Sequence, residues 1–565
     1  MVRLHGRSDF RSVLSRRRLL GSAALGSAGA AFLSACGGSG DDTPSQSGGA
    51  GGAAAPAGTT AAGQKEPVRG GQLNFMLGGD PPNLDMHANS TYLVNMSMAP
   101  IYNNLVQFDP DQAQEKPDTI IGDLAKSWEL SGDGLTYTFK LNEGVTFHDD
   151  KAFTSADVKA TIERVANPPS GVVSPRQDSL TVVSGIETPD TSTVVVKLKQ
   201  PAPSLLTILS QGWMSIYAAE DIKNGFDFNT KTNGTGPFKL KEYLRGNRVV
   251  MEPNPSYFVQ GQPYLAGMTA FIIPNAGSRV SSFQSGQVNF TSLLTKSDLT
   301  SLEAVLKDRM VVERLNGYGF NTINFGHRDP WRDERVRRAI SLAMNRQESI
   351  DLLYEGEGTL GGYMPGGGSW ALSASDLQAL PGYASYSDKT VAEAKQLLSA
   401  AGVQSGLETT ILTRRGKSYE DLSIFIKDNL TKVGIEAKPQ VLEDAAAYDA
   451  LNERAFDLAP WAHAIALDDP DAVFAEFYLS ESPRNYSGLG SKEVDDLFAK
   501  QSQTLDQQAR ATLVQEMQKK ALPLYGKVIL AWAERRWTWW NKVENYTAHV
   551  GLYNNNRHAA TWVAK

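Results

Sequence analysis

The chain has 565 residues, 41% of them hydrophobic, and a formal net charge of −7, so it is long enough to bury two or more cores. Its acidic balance, without a long basic stretch, excludes nucleic acid as a partner. A single cysteine, Cys36, excludes internal disulfides.

The first element in chain order is an export signal. Ser15-Arg16-Arg17-Arg18-Leu19-Leu20 precedes a weakly hydrophobic run of Gly, Ala, Ser and Leu, the pattern of a twin-arginine signal. The run ends in Leu33-Ser34-Ala35-Cys36, which resembles the lipobox of bacterial lipoproteins, where the cysteine is acylated. Residues 1–35 carry six arginines and one acid, Asp9, so their removal leaves a chain of about −12. No later segment supplies the roughly 18–20 consecutive apolar residues of a membrane helix, so acyl chains on Cys36 are the expected membrane contact. Residues 37–66 are Gly, Ala, Ser, Thr and Pro with almost no large apolar side chains. They read as a tether reaching on the order of 30 Å, with a wall-spanning or glycosylated stalk as the alternative.

Folded sequence begins near Gly71. Gln72–Leu77 reads as a strand, and in Leu135–Leu141 the apolar Leu135, Tyr137, Phe139 and Leu141 alternate with Thr136, Thr138 and Lys140, the period of a half-buried strand. Gly132-Asp133-Gly134 supplies the preceding turn. Thr154-Ser155-Ala156-Asp157 is a capping box, with Val158, Ile162 and Val165 as the apolar face behind it. Thr193–Leu198 is another strand. Beyond residue 330 the pattern is more helical, with stripes at Val336, Ile340 and Met344 and at Val391, Ala394, Leu398 and Ala401. Strands and helices mix without a fixed repeat, which predicts an α/β or α+β protein of more than one lobe.

Several of these segments resemble a known family. Leu124-Ala125, Trp128-Glu129, the run from Asp133 to Leu141, Gly144-Val145-Thr146-Phe147-His148-Asp149 and Phe153–Val158 come first. Gly234-Thr235-Gly236-Pro237-Phe238, Asn254–Phe258, Gly261–Leu265, Asp333–Ser341 and Asp469-Pro470-Asp471 follow in order. Together, over roughly 70–560, they resemble the extracytoplasmic solute-binding proteins of ATP-binding-cassette (ABC) importers, family 5, which bind oligopeptides, dipeptides or nickel. The resemblance implies an α/β, two-lobed periplasmic-binding-protein-like clamshell of the type II or cluster C style, with mixed sheets and a hinge crossed twice. By analogy residues 67–274 are the first lobe, 275–532 the second, and 533–565 return to the first. The crossings are expected near Ile273-Pro274-Asn275 and Ala533-Glu534. Trp537, Trp539 and Trp540 then pack the returning segment onto the first lobe, in preference to forming a sugar platform.

The resemblance also points to ligand contacts. Peptide-binding members place an acid a few positions before the Asp-Pro to neutralise the peptide's α-ammonium group, whose unpaired burial is costly. Here that position is Ala466, with Asp468 and Asp469 the nearest acids. The departure weakens the case for a strict free-N-terminus requirement. Trp461 and His463 are candidates to stack on or hydrogen-bond a flatter ligand, with core packing as the competing reading. Phe320 and Asn321 begin a strand where the family presents backbone groups to an extended ligand. Tyr92, Trp213 and Trp370 lie in rim or loop-like stretches.

Other chemistry is poorly supported. Gly-Thr-Gly-Pro at 234–237 lacks the Lys-Ser/Thr of a phosphate-binding loop and reads as a turn. His148 has no second histidine at ligand spacing and reads as structural. A hydrolase using Asp468, Asp469 and Glu476 would need two cleft acids about 5–10 Å apart, but neither a Gly-x-Ser-x-Gly nor a His-Glu-x-x-His motif occurs. The expected protein is therefore a monomeric receptor without catalytic residues, metal or cofactor. It would be held outside the cell membrane by lipid and would deliver peptides to an ABC permease and its ATPase subunits. An oligosaccharide or a metal chelate is the rival cargo.

Overall fold

The computed structural model describes residues 66–565, so the expected export signal, Cys36 and residues 37–65 lie outside the described residues. The chain enters β1 (Gln72–Leu77) where the sequence predicts it, with Leu73, Phe75 and Leu77 buried. Two short antiparallel strands, β2 (Val106–Phe108) and β3 (Ile120–Gly122), frame a polar loop that carries Glu115. Next come β4 (Ala125–Leu130), β5 (Thr136–Leu141), β6 (Val183–Asp190) and β7 (Thr193–Leu198), an antiparallel sheet in the order β4-β5-β7-β6. Tyr137, Phe139 and Leu141 of β5 are buried while Lys140 is exposed, so the alternation read from the sequence sets which face meets the core. The helix Ser155–Ala166 supplies Val158, Ile162 and Val165 to the same apolar cluster. Its start is fixed by the capping box, in which the Thr154 backbone N–H donates to Asp157 Oδ2 at 2.7 Å.

The main sheet gathers strands from both halves of the chain. They are β1, β8 (Phe238–Leu244), β9 (Arg248–Pro253), β10 (Gly267–Ile272), β11 (Phe290–Thr291), β12 (Met310–Phe325), β13 (Gly358–Thr359), β14 (Leu407–Arg414), β15 (Ile435–Leu442), β16 (Leu458–Ala464) and β17 (Lys527–Trp540). Their order is β15-β14-β16-β12-β17-β11-β1-β10-β9-β8, with β13 beside β17. Parallel and antiparallel pairs are mixed: β1 lies parallel to β10 and β11, and β12 antiparallel to β16 and β17. The fold is thus mixed α/β with mixed sheets, as the family resemblance implies.

Although the sheet is continuous, the cores on it are separate. Around β1 and β10, Leu73, Phe75, Phe238, Met268, Phe290, Trp537 and Trp539 form one cluster, so two of the C-terminal tryptophans are core residues. Around β14–β16, Ile323, Phe325, Val336, Ile340, Ala394, Leu398, Ile411 and Leu458 form another. This second core uses both helical stripes read from the sequence. Residues 276–310 pack around Met76 of β1 and Met310, through Phe283, Leu299, Leu302 and Leu306. The expected crossing at Ile273–Asn275 would have assigned them to the second lobe. Among the described strands, β12 and β17 run past both sets of cores.

The Gly-Thr-Gly-Pro segment is a turn into β8. Gly236 N–H donates to the Ile101 carbonyl at 2.9 Å, and a Cβ on Gly236 would collide with the Ile101–Tyr102 backbone. His148 lies against the same turn, its Nε2 3.1 Å from the Gly236 carbonyl.

Candidate functional site

The long pair β12 and β17 is regular at both ends and irregular in the middle. Asn316 lies opposite Glu534 and Phe320 opposite Trp532, so Gly317, Tyr318 and Gly319 face the single residue Ala533. This is a bulge, which interrupts pairing and lets a strand bend. A Cβ on Gly317 would lie 2.8 Å from the Ala533 carbonyl, so the close approach needs glycine.

Polar side chains converge beside this bulge. Tyr318 is buried, and both its own burial and the nearby charges of Glu115 and Asp468 hold its hydroxyl well above the ordinary range. Arg535 is half-buried, its Nε has no partner in the protein, and burial lowers its pKa. Glu115 reaches the bulge from the β2–β3 loop and is only 4% exposed. Its Oε2 accepts from Asn554 Nδ2 at 2.7 Å and the Gly551 backbone also meets this carboxylate, while Oε1 has no close hydrogen-bond partner. Burial pushes its pKa up to about 7, against smaller downward effects of Asn554 and Arg535. Asp468 arrives from the segment after β16 and is 8% exposed. Its Oδ2 accepts from the Ser369 backbone N–H at 3.2 Å, Oδ1 has no partner, and burial raises this carboxyl to about 7 as well. Tyr546 and Tyr553 complete the surroundings of Arg535.

The two sets of cores meet here. Leu467, adjacent to Asp468, belongs to the apolar cluster of the β4–β7 sheet. Val550, from the C-terminal segment, belongs to the cluster around Phe320 and Trp370.

Of the residues singled out from sequence, Asp468 alone presents an unpartnered charge at this place. Asp469, its neighbour, is consumed by structure. It caps the helix Pro470–Phe477 through the Asp471 N–H and forms a two-pronged ion pair with the buried Arg510, both N–O distances being 3.1 Å. Trp370 is 1% exposed, donates Nε1–H to the Asp468 carbonyl at 2.7 Å and lies under Arg510, so it shapes the Asp468 loop from beneath. Trp461 is buried against Tyr419 and Tyr448 in a separate cluster. His463 is buried among Phe320, Phe477 and Tyr486 with Nε2 unpartnered. Desolvation and the charges of Lys527 and Arg484 hold it well below its ordinary pKa, hence neutral.

Phe320 and Asn321 are not at a strand edge. They lie opposite His463 and Ala462 on one side and Trp532 and Ala531 on the other, so their backbone groups face neighbouring strands rather than an extended ligand. Tyr92 accepts from the Gly78 N–H at 3.2 Å. Trp213 is core, tilted against Tyr553 at 5.4 Å. Among the described residues no group of three or more His, Cys, Asp or Glu side chains could hold a metal ion.

Sequence reasoning missed Glu115, Tyr318, Arg535, Tyr546 and Tyr553. Glu115 sits in a polar loop without periodicity. For Arg535 a signal was present, since Glu534-Arg535-Arg536 is a charged triplet between the apolar runs Val528–Ala533 and Trp537–Trp540, broken only by Thr538.

A two-lobed α/β body with unpartnered charges where its cores meet defines a periplasmic-type binding protein. Residues 119–485 match the family described as bacterial extracellular solute-binding proteins, family 5, and the chain belongs to that family. A Brucella ovis protein named as an ABC transporter peptide-binding protein is 31% identical, over 67% of this chain and 70% of that protein. The oligopeptide-binding protein AppA of Bacillus subtilis is 26% identical, over 95% of this chain and 97% of its own. Among solved structures, the periplasmic binding protein DppA of Helicobacter pylori in complex with the peptide STSA superposes with a TM-score of 0.73. It is 25% identical and is matched over 88% of this chain and 99% of its own. The binding protein AgaA of A. tumefaciens in complex with agropinic acid gives 0.72 at 25% identity, over the same shares.

Proposed function

We propose that the protein is the receptor of an ABC importer, capturing peptides between its lobes and delivering them to a membrane permease with its ATPase subunits. The observation that carries this reading is the group Glu115, Asp468 and Arg535, whose unpartnered atoms lie where the two sets of cores meet. Two carboxylates and one guanidinium complement a ligand bearing an amino and a carboxylate group, as a peptide does. Relatives named for peptide binding support the same cargo. The hinge in this reading is the bulge at Gly317–Gly319 opposite Ala533, rather than Ile273–Asn275, because β12 and β17 run from one set of cores into the other. Binding shifts an open–closed equilibrium toward closed, and the permease reads the closed form.

Ala466, where peptide binders carry an acid, favours a second reading. In it the cargo is a small organic acid without a free ammonium group, a reading prompted by the likeness to AgaA, which was solved in complex with agropinic acid. Thermal unfolding of the full chain with dipeptides, longer peptides, amino-acid conjugates, oligosaccharides and nickel chelates separates these cargos. Stabilisation by peptides is expected, and stabilisation by sugars or chelates alone would reject the peptide reading. Anchoring through Cys36 is part of the proposal. Cys36→Ser should move the protein from the membrane to the soluble fraction of cells, and unchanged membrane association would refute the lipid anchor.

A further inference from the structure

Two apolar side chains reach from the part of the molecule that carries Asp468 to the β4–β7 sheet. Leu467 is 1% exposed and packs into the cluster of that sheet, which includes Ala202, Leu205 and Leu209. Leu505 stands in the connection between the helices Lys492–Gln501 and Gln507–Ala521, whose Val494, Val514 and Met517 belong to the cluster around Phe320 and Trp532. It is 42% exposed, yet it covers Gly134, which is buried in the turn before β5. A Cβ on Gly134 would lie 2.7 Å from Leu505 Cδ1 and 3.4 Å from Pro201 Cβ, so the three residues meet at one point. The turn holds its own shape: the Gly134 N–H donates to the Ser131 carbonyl at 2.8 Å, and the Leu135 N–H to Asp133 Oδ1 at 3.0 Å. The connection carrying Leu505 is in turn tied to the segment after β16. Ser502 Oγ donates to Asp471 Oδ1 at 2.6 Å. Gln501 also donates to Asp471 and accepts from Arg510 Nε at 2.9 Å, and Arg510 holds Asp469. Leu467 and Leu505 are therefore two projections of one scaffold.

Resting on the receptor reading above, we propose that Leu505 on Gly134 and Pro201, with Leu467 as a second contact, is an apolar latch between the lobes. It sets the affinity for every cargo, and Leu505 touches none of them. When the lobes part, the scaffold moves as a unit and both leucines meet water, so reburying them favours closure. The contact exists only in the closed form. Its free energy therefore adds to that of any ligand, and the apparent dissociation constant follows the closed fraction. Because the turn is already formed, little ordering opposes the contact. Glycine is needed at its centre: Gly134 has a φ of +71°, and a side chain there would take the place of Leu505.

The test uses the full chain with Cys36→Ser, which leaves no cysteine, so that Pro201→Cys and Leu505→Cys supply the only pair. A short bifunctional maleimide should join the two within one chain, and trialanine should speed the reaction. Absence of the cross-link, with both thiols open to a monofunctional maleimide, overturns the latch. Affinity is then read by calorimetry with trialanine and dialanine. Leu505→Asp, an exposed position beside the turn that carries Asp133, should weaken both peptides equally. The expected loss is about tenfold, the scale of one lost apolar contact. Unchanged affinity overturns the latch, and so does a loss confined to one peptide, which would make Leu505 a cargo contact. If the parent chain binds neither peptide, the peptide reading fails, and the cross-link formed without peptide decides the latch alone.

Discussion

Asp468 and Asp469 are adjacent and chemically identical, yet their surroundings give them opposite tasks. Asp469 satisfies both oxygens on a helix N-terminus and on Arg510. Removing Arg510 leaves that carboxylate buried and unpaired, so Arg510→Ala should destabilise the protein by about 3–5 kcal/mol, measured by denaturant unfolding. Asp468 keeps a free oxygen and a pKa near 7, against an ordinary 3.8. The folded state therefore holds this proton more tightly than the unfolded state between about pH 4 and about pH 7, and stability falls as pH rises through that window. Asp468→Asn should accordingly stabilise the ligand-free protein above about pH 7, by at most about 4 kcal/mol at 1.36 kcal/mol per unit, with little effect near pH 4. Loss of stability at both ends would show that the carboxylate is structural. Sequence marked Asp468 as a substitute for the missing acid but could not separate it from Asp469, since nothing local distinguishes the one that meets Arg510.

Elements with a strong local code form where the sequence places them. Strand β5 starts one residue late, at Thr136 instead of Leu135, and the helix behind Thr154 begins at its capping box. Thr154→Ala should cost about 0.5–2 kcal/mol through loss of the cap, and Phe139→Ala about 3–5 kcal/mol through the cavity it leaves, both read as shifts of the unfolding midpoint. The strand β12 was harder to place. Its 16 residues, Met310–Phe325, contain Gly317 and Gly319 in the middle, which local rules read as breaks. Pairing with β17 holds the strand together through them.

At the scale of the whole molecule, β12 and β17 are the shared frame and the remaining packing divides around them. Residues 276–310 follow the first set of cores because Phe283, Leu299, Leu302 and Leu306 find Met76 and Met310, a contact across more than two hundred residues that no window of sequence contains. A ligand that binds only the folded, closed protein should raise its stability by about 2.7 kcal/mol at a hundred times its dissociation constant. An unchanged unfolding temperature with every cargo class would reject the receptor role.

The sequence by itself determined the family, the strands with period-2 alternation and the capped helices, because each rests on short motifs read from residues close together in the chain. Only the tertiary structure decided which acid keeps its charge unpaired, that Trp213, Trp370 and Trp461 are buried in cores, and that Glu115, Tyr318 and Arg535 share one place. Those outcomes depend on desolvation and on partners hundreds of residues away, and neither is a property of any segment alone.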